Sequence, residues 1–295
     1  MNCFTCVIAE NYQGASVQKV AKQLLCLSTR EFTAAKFHGK IQVNGVDVYS
    51  THVLKTGDSL LIQTPERQTQ TYEPLYMPLH IPYEDDHLLI VDKPAHLPAV
   101  PTPKKDTPTL ANAIYAHMNC PSHFVYRAIN RLDKGTSGLM LLAKSAHLQQ
   151  RLQKQLHTPD FCREYLALVE GRFPYTTGTV YAPIAKKAGA TIQRMVQAGG
   201  KEAVTHFRCV KVGPKRSLVA LKLQTGRTHQ IRVHMSYLGF PLVGDFCYGT
   251  EIEALPMRFA LHSARLCVIH PITQEKLDVV SPAPTEWQRL LESEE

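Results

Sequence analysis

Residues 16 to 64 show a hydrophobic pattern of short elements. Apolar side chains with helical spacing follow Ser16, which can cap the helix, at Val17, Val20, Ala21, Leu24 and Leu25. Ser28-Thr29-Arg30-Glu31 matches a capping box and predicts a second helix, which Gly39 is expected to end. Short strands are predicted at residues 41–43, 46–48 and 59–63, with Asn44-Gly45 as a hairpin turn. The pattern indicates a small α/β unit.

From residue 81 onward the apolar runs become longer. Strands are predicted at residues 88–91, 139–143, 163–169, 204–212 and 218–223. One helix is predicted around Leu110, Ala113 and Ile114, and another after Ser145 with leucines at every fourth position from Leu148. Residues 65–80 are polar and contain three prolines, which predicts an extended linker between the two units.

Composition and charge narrow the classes of function. The 295 residues are 44% hydrophobic and 20% charged, which is typical of a globular protein with a core. The formal net charge of +8 and the pI near 9.0 indicate a polyanionic partner, with nucleic acid ahead of an anionic membrane surface. No apolar stretch approaches the roughly 18 residues that span a bilayer. Residues 1–12 lack the basic start of a secretory signal.

The eight cysteines are scattered along the chain, so we expect reduced thiols in a cytoplasmic protein rather than a disulfide framework. Cys3 and Cys6 form only half of a zinc pattern, and we expect no metal there.

Residues 130–144 carry the first candidate chemistry. Asp133 lies between Arg131 and Lys134, and a Gly-Thr-Ser-Gly turn and an apolar strand follow it. Neighbouring positive charge favours the ionised form of a carboxylate, which is the form that a nucleophile needs. From these residues alone, an ordinary loop aspartate in a surface ion pair is the commoner explanation.

Residues 224–235 are the second candidate. Four basic side chains crowd this stretch without an acid nearby in the sequence: Arg227, His229, Arg232 and His234. Thr228 is expected to cap a helix here, and a helix N-terminus that carries arginines can hold an anion. Arg227 or Arg232 could bind phosphate, one of them could pair with Asp133, or the stretch could be a solvated basic helix face.

The third candidate is Arg163-Glu164-Tyr165, at the start of a predicted strand. Tyr165 shares a face of that strand with Ala167 and Val169, where a tyrosine is usually part of the core.

Several of these motifs occur together in one order along residues 81 to 291. They are Arg131-Leu132-Asp133, Thr136-Ser137-Gly138, Arg163-Glu164-Tyr165, residues 226–232, Tyr83-Glu84-Asp85-Asp86, Lys93-Pro94, Gly244-Asp245, Tyr248-Gly249, Leu261-His262 and His270-Pro271. In this combination the chain resembles the RluA-type pseudouridine synthases. Ser28-Thr29-Arg30, residues 39–45 and residues 55–60 resemble an S4-type RNA-binding module.

The resemblance implies an α+β protein with a small α/β S4-like domain at residues 14–64, a linker at 65–80 and a catalytic domain at 81–291. The catalytic domain is expected to have a mixed, largely antiparallel sheet with helices. The implied reaction is the isomerisation of uridine to pseudouridine in structured RNA, with large-subunit (23S) ribosomal RNA ahead of tRNA. No cofactor and no metal are expected.

Carried over by position, Asp133 is the catalytic aspartate, Arg232 pairs with it, and Tyr165 stacks under the target uracil. Arg131 helps to fill the gap left by a flipped-out base. Further contacts to the substrate or the RNA are expected from Asn130, Thr136, Arg227, His229 and Gln230, and in the S4-like domain from Arg30, Lys36 and Lys40.

The chain departs from the family pattern at two places. Asn130 stands where the family usually has histidine, and residues 95–101 differ from the usual sequence after Lys93-Pro94.

Other functions stay open at this point. The protein could be a non-catalytic RNA-binding or ribosome-assembly factor with the same fold, and a hydrolase that uses Asp133 with His229 or His234 ranks third. RNA as the partner, no membrane association, a monomer and a cytoplasmic location are the remaining expectations.

Overall fold

The structure is a computed structural model that describes residues 2–25, 27–65, 72–100, 107–156 and 158–294. The chain divides into two units, Met1–Gln70 and Thr71–Glu295.

The first unit is a four-stranded antiparallel sheet with helices. Its elements are β1 (Asn2–Val7), α1 (Val17–Gln23), α2 (Thr29–His38), β2 (Lys40–Val43), β3 (Val46–Asp47) and β4 (Ser59–Thr64), with a 3-10 turn at Glu10–Tyr12. The strand order is β1-β4-β2-β3. The predicted helices and strands of this unit are confirmed, and β1, which the hydrophobic pattern did not predict, pairs along β4.

Local signals explain the ends of α2. The Ser28 hydroxyl accepts a hydrogen bond from the Glu31 N–H at 3.2 Å, and the Glu31 carboxylate accepts one from the Ser28 N–H at 2.9 Å, so the predicted capping box is present. Gly39 ends the helix with φ of −126°, outside the left-handed region. A Cβ at Gly39 would lie 1.9 Å from the Gln63 carbonyl oxygen, so close approach to β4 is what requires glycine.

The second unit is built on a nine-stranded sheet. Its strands are β5 (His80–Glu84), β6 (Leu88–Lys93), β7 (Ser137–Ala143), β8 (Cys162–Glu170), β9 (Thr177–Tyr181), β12 (Val204–Val212), β13 (Arg216–Leu223), β14 (Leu261–Ile269) and β15 (Lys276–Val280). A separate hairpin consists of β10 (Ile184–Lys186) and β11 (Arg194–Val196). The helices are α3 (Leu110–His117), α4 (Ala146–Gln155), α5 (Gln230–Tyr237) and α6 (Glu286–Glu292).

The strand order is β5-β6-β7-β14-β8-β13-β12-β9, and β15 pairs with β14. Among the described residues, β7 and β14 form the parallel pair, whereas the other neighbours are antiparallel. The expected α+β class with a mixed, largely antiparallel sheet is therefore confirmed.

Strand β7 is buried on both faces. Met140 and Leu142 belong to a core cluster that contains α3 residues, whereas Leu139 and Leu141 belong to a second cluster with Leu148 and Leu152 of α4. A strand covered on both faces has a continuous apolar sequence instead of an alternating one. This double burial makes β7 a firm support for the loop that precedes it.

The linker was predicted at residues 65–80. Residues 66–71 of this range lie outside the described part of the chain. Tyr72 is buried and its ring packs edge-on against Phe124 at 5.1 Å between centroids. The Asn112 side-chain amide also donates to the Glu73 carbonyl at 2.9 Å. Residues 72–79 therefore belong to the second unit and are not a free spacer.

Within the described part, no helix is long and apolar enough to cross a bilayer.

Candidate active site

Asp133 lies in a tight turn directly before β7. The turn is closed by the Thr136 N–H, which donates to the Asp133 carbonyl at 3.1 Å. Gly135 packs closely against the Phe259 ring. A Cβ at that position would lie 2.8 Å from the ring, so the close approach requires glycine. The Asp133 side chain is 27% exposed, so the turn presents its carboxylate to solvent instead of burying it.

Asn130 fixes the start of this loop. Its side-chain oxygen accepts from the Leu141 N–H at 2.8 Å, and its nitrogen donates to the Leu139 carbonyl at 3.3 Å. The side chain is buried against β7. Asn130, expected to contact substrate, is thus a residue that ties the loop to the strand, and it does not line the cleft around Asp133.

Lys93 fixes the loop from the other side. Its fully buried ammonium donates to the carbonyls of Pro94 at 2.8 Å, Leu97 at 2.9 Å and Lys134 at 3.4 Å. Burial lowers the pKa of Lys93 to about 7, although the negative charges of Asp133 and Asp92 oppose that shift. The Lys134 contact links the end of β6 to the residue that follows Asp133.

Arg232, in the first turn of α5, joins Asp133 to a second carboxylate. Its NH1 lies 3.4 Å from Asp133 Oδ2, while its Nε and NH2 donate to both oxygens of Asp245 at 2.7 and 2.8 Å. Burial disfavours the charged guanidinium, but the hydrogen bonds and charge of Asp245, with the charge of Asp133, outweigh burial and raise the pKa of Arg232. Arg232 is therefore a permanent cation beside Asp133.

Aromatic rings complete the surroundings of Arg232. Its guanidinium carbon lies 4.0 Å from the ring centroid of Phe259 and 5.0 Å from that of Tyr248. Rings at these distances stabilise a buried cation and limit its movement.

His229 approaches the same carboxylate oxygen as Arg232. Its Nε2 is 3.8 Å from Asp133 Oδ2, and its Nδ1 is 2.8 Å from the Tyr248 hydroxyl. Burial and the nearby Arg232 charge lower the pKa of His229, while Asp133 opposes the shift, so the ring is neutral near pH 7.

The prediction that Thr228 caps the helix is wrong, because α5 begins at Gln230 with His229 as the N-cap at φ 59°. The Gln230 side chain instead closes the turn before the helix, since its oxygen accepts from the Arg227 N–H at 2.9 Å. Its side-chain nitrogen donates to the Val204 carbonyl at 3.0 Å. Gln230 thereby ties the turn before α5 to β12.

Tyr165 on β8 is buried at the edge of the same cleft. Burial raises the pKa of its hydroxyl, and the Asp133 charge adds to that shift against the opposing charge of Arg163. The hydroxyl is therefore protonated at neutral pH and can donate a hydrogen bond.

These side chains surround one cleft of about 60 Å³. It is lined by Arg131, Leu132, Asp133, Thr136, Tyr165, Leu223, Arg227, His229, Gln230, Ile231, Arg232 and Leu261. The structure thus brings together all the expected site residues of the second unit except Asn130.

The expected RNA contacts in the first unit have separate positions. Lys36 is exposed on α2 with its ammonium 5.4 Å from the Phe37 ring, and Lys40 is exposed at the start of β2. The Arg30 side chain lies outside the described part of the structure.

Sequence reasoning did not single out two residues that determine this geometry, Asp245 and Lys93. Both lie in dipeptides that carried the family resemblance, Gly244-Asp245 and Lys93-Pro94, so the signal was present without a role attached to it. Their roles depend on contacts across the fold. Among the described residues, no cluster of three or more histidine, cysteine or acidic side chains could hold a metal ion.

Comparison with known proteins identifies the class. A family model described as RNA pseudouridylate synthase matches residues 87–237, which include Asp133, Tyr165 and Arg232. The chain belongs to this family, and it is an RNA pseudouridine synthase, an isomerase.

Individual relatives cover almost the whole chain. The chain is 40% identical over 275 residues to the Bacillus subtilis protein named RNA pseudouridine synthase YjbO, covering 92% of this chain and 96% of that protein. It is 36% identical to the Vibrio cholerae protein named ribosomal large subunit pseudouridine synthase D, covering 90% of this chain and 87% of that protein.

A solved structure titled Human RNA Pseudouridylate Synthase Domain Containing 1 superposes with a TM-score of 0.60 at 27% identity, covering 72% of this chain and 86% of that one.

Proposed function

We propose that the protein converts specific uridines of large-subunit ribosomal RNA to pseudouridine, with Asp133 as the catalytic carboxylate. The proposal for Asp133 rests on the way in which Arg232 contacts two carboxylates, Asp245 closely and Asp133 at a longer distance. Asp245 saturates one edge of the guanidinium, so Asp133 is held by one longer contact of 3.4 Å and keeps an oxygen free toward the cleft.

The chemistry suits a lone anionic carboxylate. The reaction breaks the N1–C1′ bond, turns the base and forms the C5–C1′ bond, while C5 loses a proton and N1 gains one. Atoms and electrons balance without an oxidant or an imported group. Asp133 either attacks the nucleotide covalently or stabilises a cationic or glycal-like sugar, and in both routes the fixed charge of Arg232 lies beside the carboxylate and orients it.

The other cleft residues have roles that follow from their state. Tyr165, with a protonated hydroxyl and a ring at the cleft wall, stacks under the uracil and can donate a hydrogen bond. Arg131 is exposed at the cleft and fills the space that the flipped nucleotide leaves in the RNA. Thr136 and His229, which line the same cleft, contact the substrate near Asp133.

A basic trough continues from the cleft and supports an RNA substrate. It has a volume of about 510 Å³ and is lined by the cations Lys186, Arg194, Lys201 and Arg227, with no acidic side chain among the described residues that line it. Arg227 lines both the trough and the cleft. Phosphates on either side of the target nucleotide can bind there.

We also propose that the first unit is an S4-like RNA-binding domain. Its order of two helices, an Asn44-Gly45 hairpin and a further strand supports this assignment, with Lys36 and Lys40 exposed for phosphates. Arg30 is proposed as a third phosphate contact from its place in the sequence.

The ribosomal target is inferred from relatives. Several of them, including the Vibrio cholerae protein, are named for the large ribosomal subunit. A tRNA target is the alternative. A cytoplasmic location follows from a ribosomal substrate, and a monomer is proposed because one chain supplies every residue of the cleft.

The test is pseudouridine mapping of total RNA from cells with and without the gene. Sites that disappear in the deletion strain, and return with the wild-type gene but not with Asp133→Ala, would support both the catalytic role and the target. If the only sites that disappear are in tRNA, the substrate is tRNA and the ribosomal target is wrong.

Restoration of every site by Asp133→Ala would refute the catalytic role. A conservative surface variant, Lys154→Gln on the far helix α4, serves as the matched control and should restore every site.

A further inference from the structure

A chain of hydrogen-bonded polar side chains, buried at its centre, connects the end of the Asp133 turn to Asp92 of β6. The Ser137 hydroxyl lies 2.9 Å from His262 Nδ1, and His262 Nε2 lies 3.1 Å from the Ser281 hydroxyl and 3.3 Å from its carbonyl. The Ser281 hydroxyl donates to the Asp92 carboxylate. His262 is buried on β14, with the Trp287 ring roughly perpendicular to it at 6.4 Å between centroids.

The partners determine where each hydrogen lies. The proton of the Ser281 hydroxyl is used on Asp92, so its oxygen can only accept from His262, and the Ser281 carbonyl also only accepts. His262 Nε2 therefore carries the hydrogen. Burial lowers the pKa of His262, with Asp92 opposing the shift, so the ring is neutral and its Nδ1 is a bare acceptor. The Ser137 hydroxyl accordingly donates to Nδ1.

This contact lies where the Asp133 turn enters the sheet. Ser137 pairs with His262, and Gly138 with Ser263, in the short parallel contact of β7 and β14. The two strands are pressed together here, since a Cβ at Gly138 would lie 2.4 Å from the Ser263 carbonyl oxygen. On the other side, Lys93 of β6 pairs with Gly138.

The turn therefore has two kinds of anchor at its downstream end. The strand pairing of β7 fixes the backbone of Ser137 and Gly138, but the orientation of the Ser137 hydroxyl, four positions after Asp133, depends on a side-chain acceptor. That acceptor is itself oriented by Ser281 and Asp92.

We propose that His262 is a positioning residue for the reaction: by accepting the Ser137 hydroxyl at Nδ1, it holds the Asp133 turn in the geometry that the isomerisation requires. The inference rests on the proposed role of Asp133. His262 does not itself line the cleft, so we expect it to act on turnover and not on RNA binding.

Replacing His262 by asparagine or by glutamine tests the contacts of its two ring nitrogens one at a time. His262→Asn places an amide oxygen near the Nδ1 position and can still accept from Ser137. His262→Gln places its amide near the Nε2 position, keeps the Ser281 contact and loses the Ser137 contact. A purely structural role in the core would make the two variants similar.

The experiment measures single-turnover tritium release from total RNA of the deletion strain grown with [5-³H]uridine, because pseudouridine formation removes the C5 hydrogen. We expect His262→Gln and Ser137→Ala to slow release about 10- to 100-fold, with the half-saturating enzyme concentration unchanged, since a small misplacement of a reacting group costs that much. His262→Asn should recover most of the rate. The Ser137→Ala/His262→Gln double variant should be no slower than either single one, as expected for partners in one contact.

His206 offers a matched control, because its Nδ1 lies 2.8 Å from the Thr179 hydroxyl at the far side of the same sheet. His206→Gln should leave the rate unchanged. Equal losses in His262→Asn and His262→Gln, or a wild-type rate in His262→Gln, would overturn the inference. An active Asp133→Ala in the same assay would instead overturn the proposed function, so the two failures are distinguishable.

Discussion

Asp133 and Asp245 contact the same guanidinium, yet their surroundings are opposite. Asp245 is fully buried, accepts from Arg232 with both oxygens, and also accepts from the backbone N–H groups of Cys247 and Tyr248 at 3.0 and 3.2 Å. Asp133 is partly exposed and has one contact to Arg232 at 3.4 Å. A buried carboxylate with both oxygens hydrogen-bonded is suited to supporting a charge, whereas the less coordinated and partly exposed one is available for chemistry.

The comparison teaches how one cation can serve two purposes. Burying Arg232 without Asp245 would leave its charge poorly compensated, and Asp133 alone offers one distant contact. With Asp245 in place, Arg232 is fixed before substrate arrives, and Asp133 meets a preorganised charge. The two aspartates should therefore fail in different ways when they are replaced.

The largest expected effect is on turnover in Asp133→Asn. Removal of the anionic carboxylate should reduce pseudouridine formation by about 10³-fold or more, since it removes the reacting group itself. Stability should change by less than about 1 kcal/mol, because Asp133 is partly exposed and Arg232 keeps Asp245. Tritium release and urea unfolding monitored by Trp287 fluorescence measure the two quantities. Severe loss of stability with normal turnover would reverse the roles assigned to the aspartates.

Asp245→Asn should mainly reduce stability, whereas Asp133→Asn should mainly reduce turnover. Loss of a buried partner should destabilise the second unit by about 3–5 kcal/mol, because a charged guanidinium stays buried without its main counter-ion. Trp287 is the single tryptophan and lies in the second unit, so its fluorescence reports that unit. The double variant Asp245→Asn/Arg232→Met should recover part of the stability while remaining inactive. A variant as stable as wild type would refute the anchoring role.

The pH dependence of folding stability tests the buried histidines without any substitution. Burial lowers the pKa of both His234 and His262 below the ordinary value of 6.5. The unfolded chain therefore binds protons that the folded one does not, and stability should fall as the pH drops below about 6.5, by up to about 1.4 kcal/mol per pH unit for each histidine.

Urea unfolding of the wild-type chain at pH 7.5, 6.5 and 5.5 measures this slope, and His234→Gln should make it shallower. His234 donates from Nε2 to the Ala182 carbonyl at 2.9 Å, and the glutamine amide can keep that bond without titrating. Lys93, whose pKa burial lowers to about 7, adds to the slope at the upper end of this range. Constant stability between pH 6.5 and 5.5 would therefore mean that both rings accept protons in the folded state.

The smallest effect is expected at the rim, in Arg227→Gln. Its side chain is exposed and donates from Nε to the Glu202 carbonyl at 2.7 Å, which leaves the terminal nitrogens for a phosphate. RNA affinity should weaken modestly, and the salt dependence of binding should fall by about one phosphate contact, with little change in turnover at saturation. Filter binding between low and moderate salt measures this. A loss of turnover at saturating RNA would move Arg227 into the catalytic group.

Much of the fold could be predicted because its signals are local. The Ser28 capping box, the Asn44-Gly45 turn and the apolar run of β7 each depend on residues a few positions apart, and each is present as expected. β1 was missed because its alternation is short and its partner β4 lies more than fifty residues further along the chain. Thr228 was mistaken for a cap because the turn before α5 continues one residue further than expected. His229, in the left-handed region, is the N-cap, and the Gln230 side chain closes the turn on the Arg227 N–H.

The sequence by itself determined the class of protein, the order of its elements and the identity of Asp133, Tyr165 and Arg232 as candidates, because motif and periodicity are properties of neighbouring residues. Only the tertiary structure decided which carboxylate Arg232 holds tightly, that Asn130 binds the backbone of β7 and does not line the cleft, and that Ser137 meets His262. These contacts join residues far apart in the chain. They are selected by burial and by the need of each buried polar group for a partner, which no local pattern records.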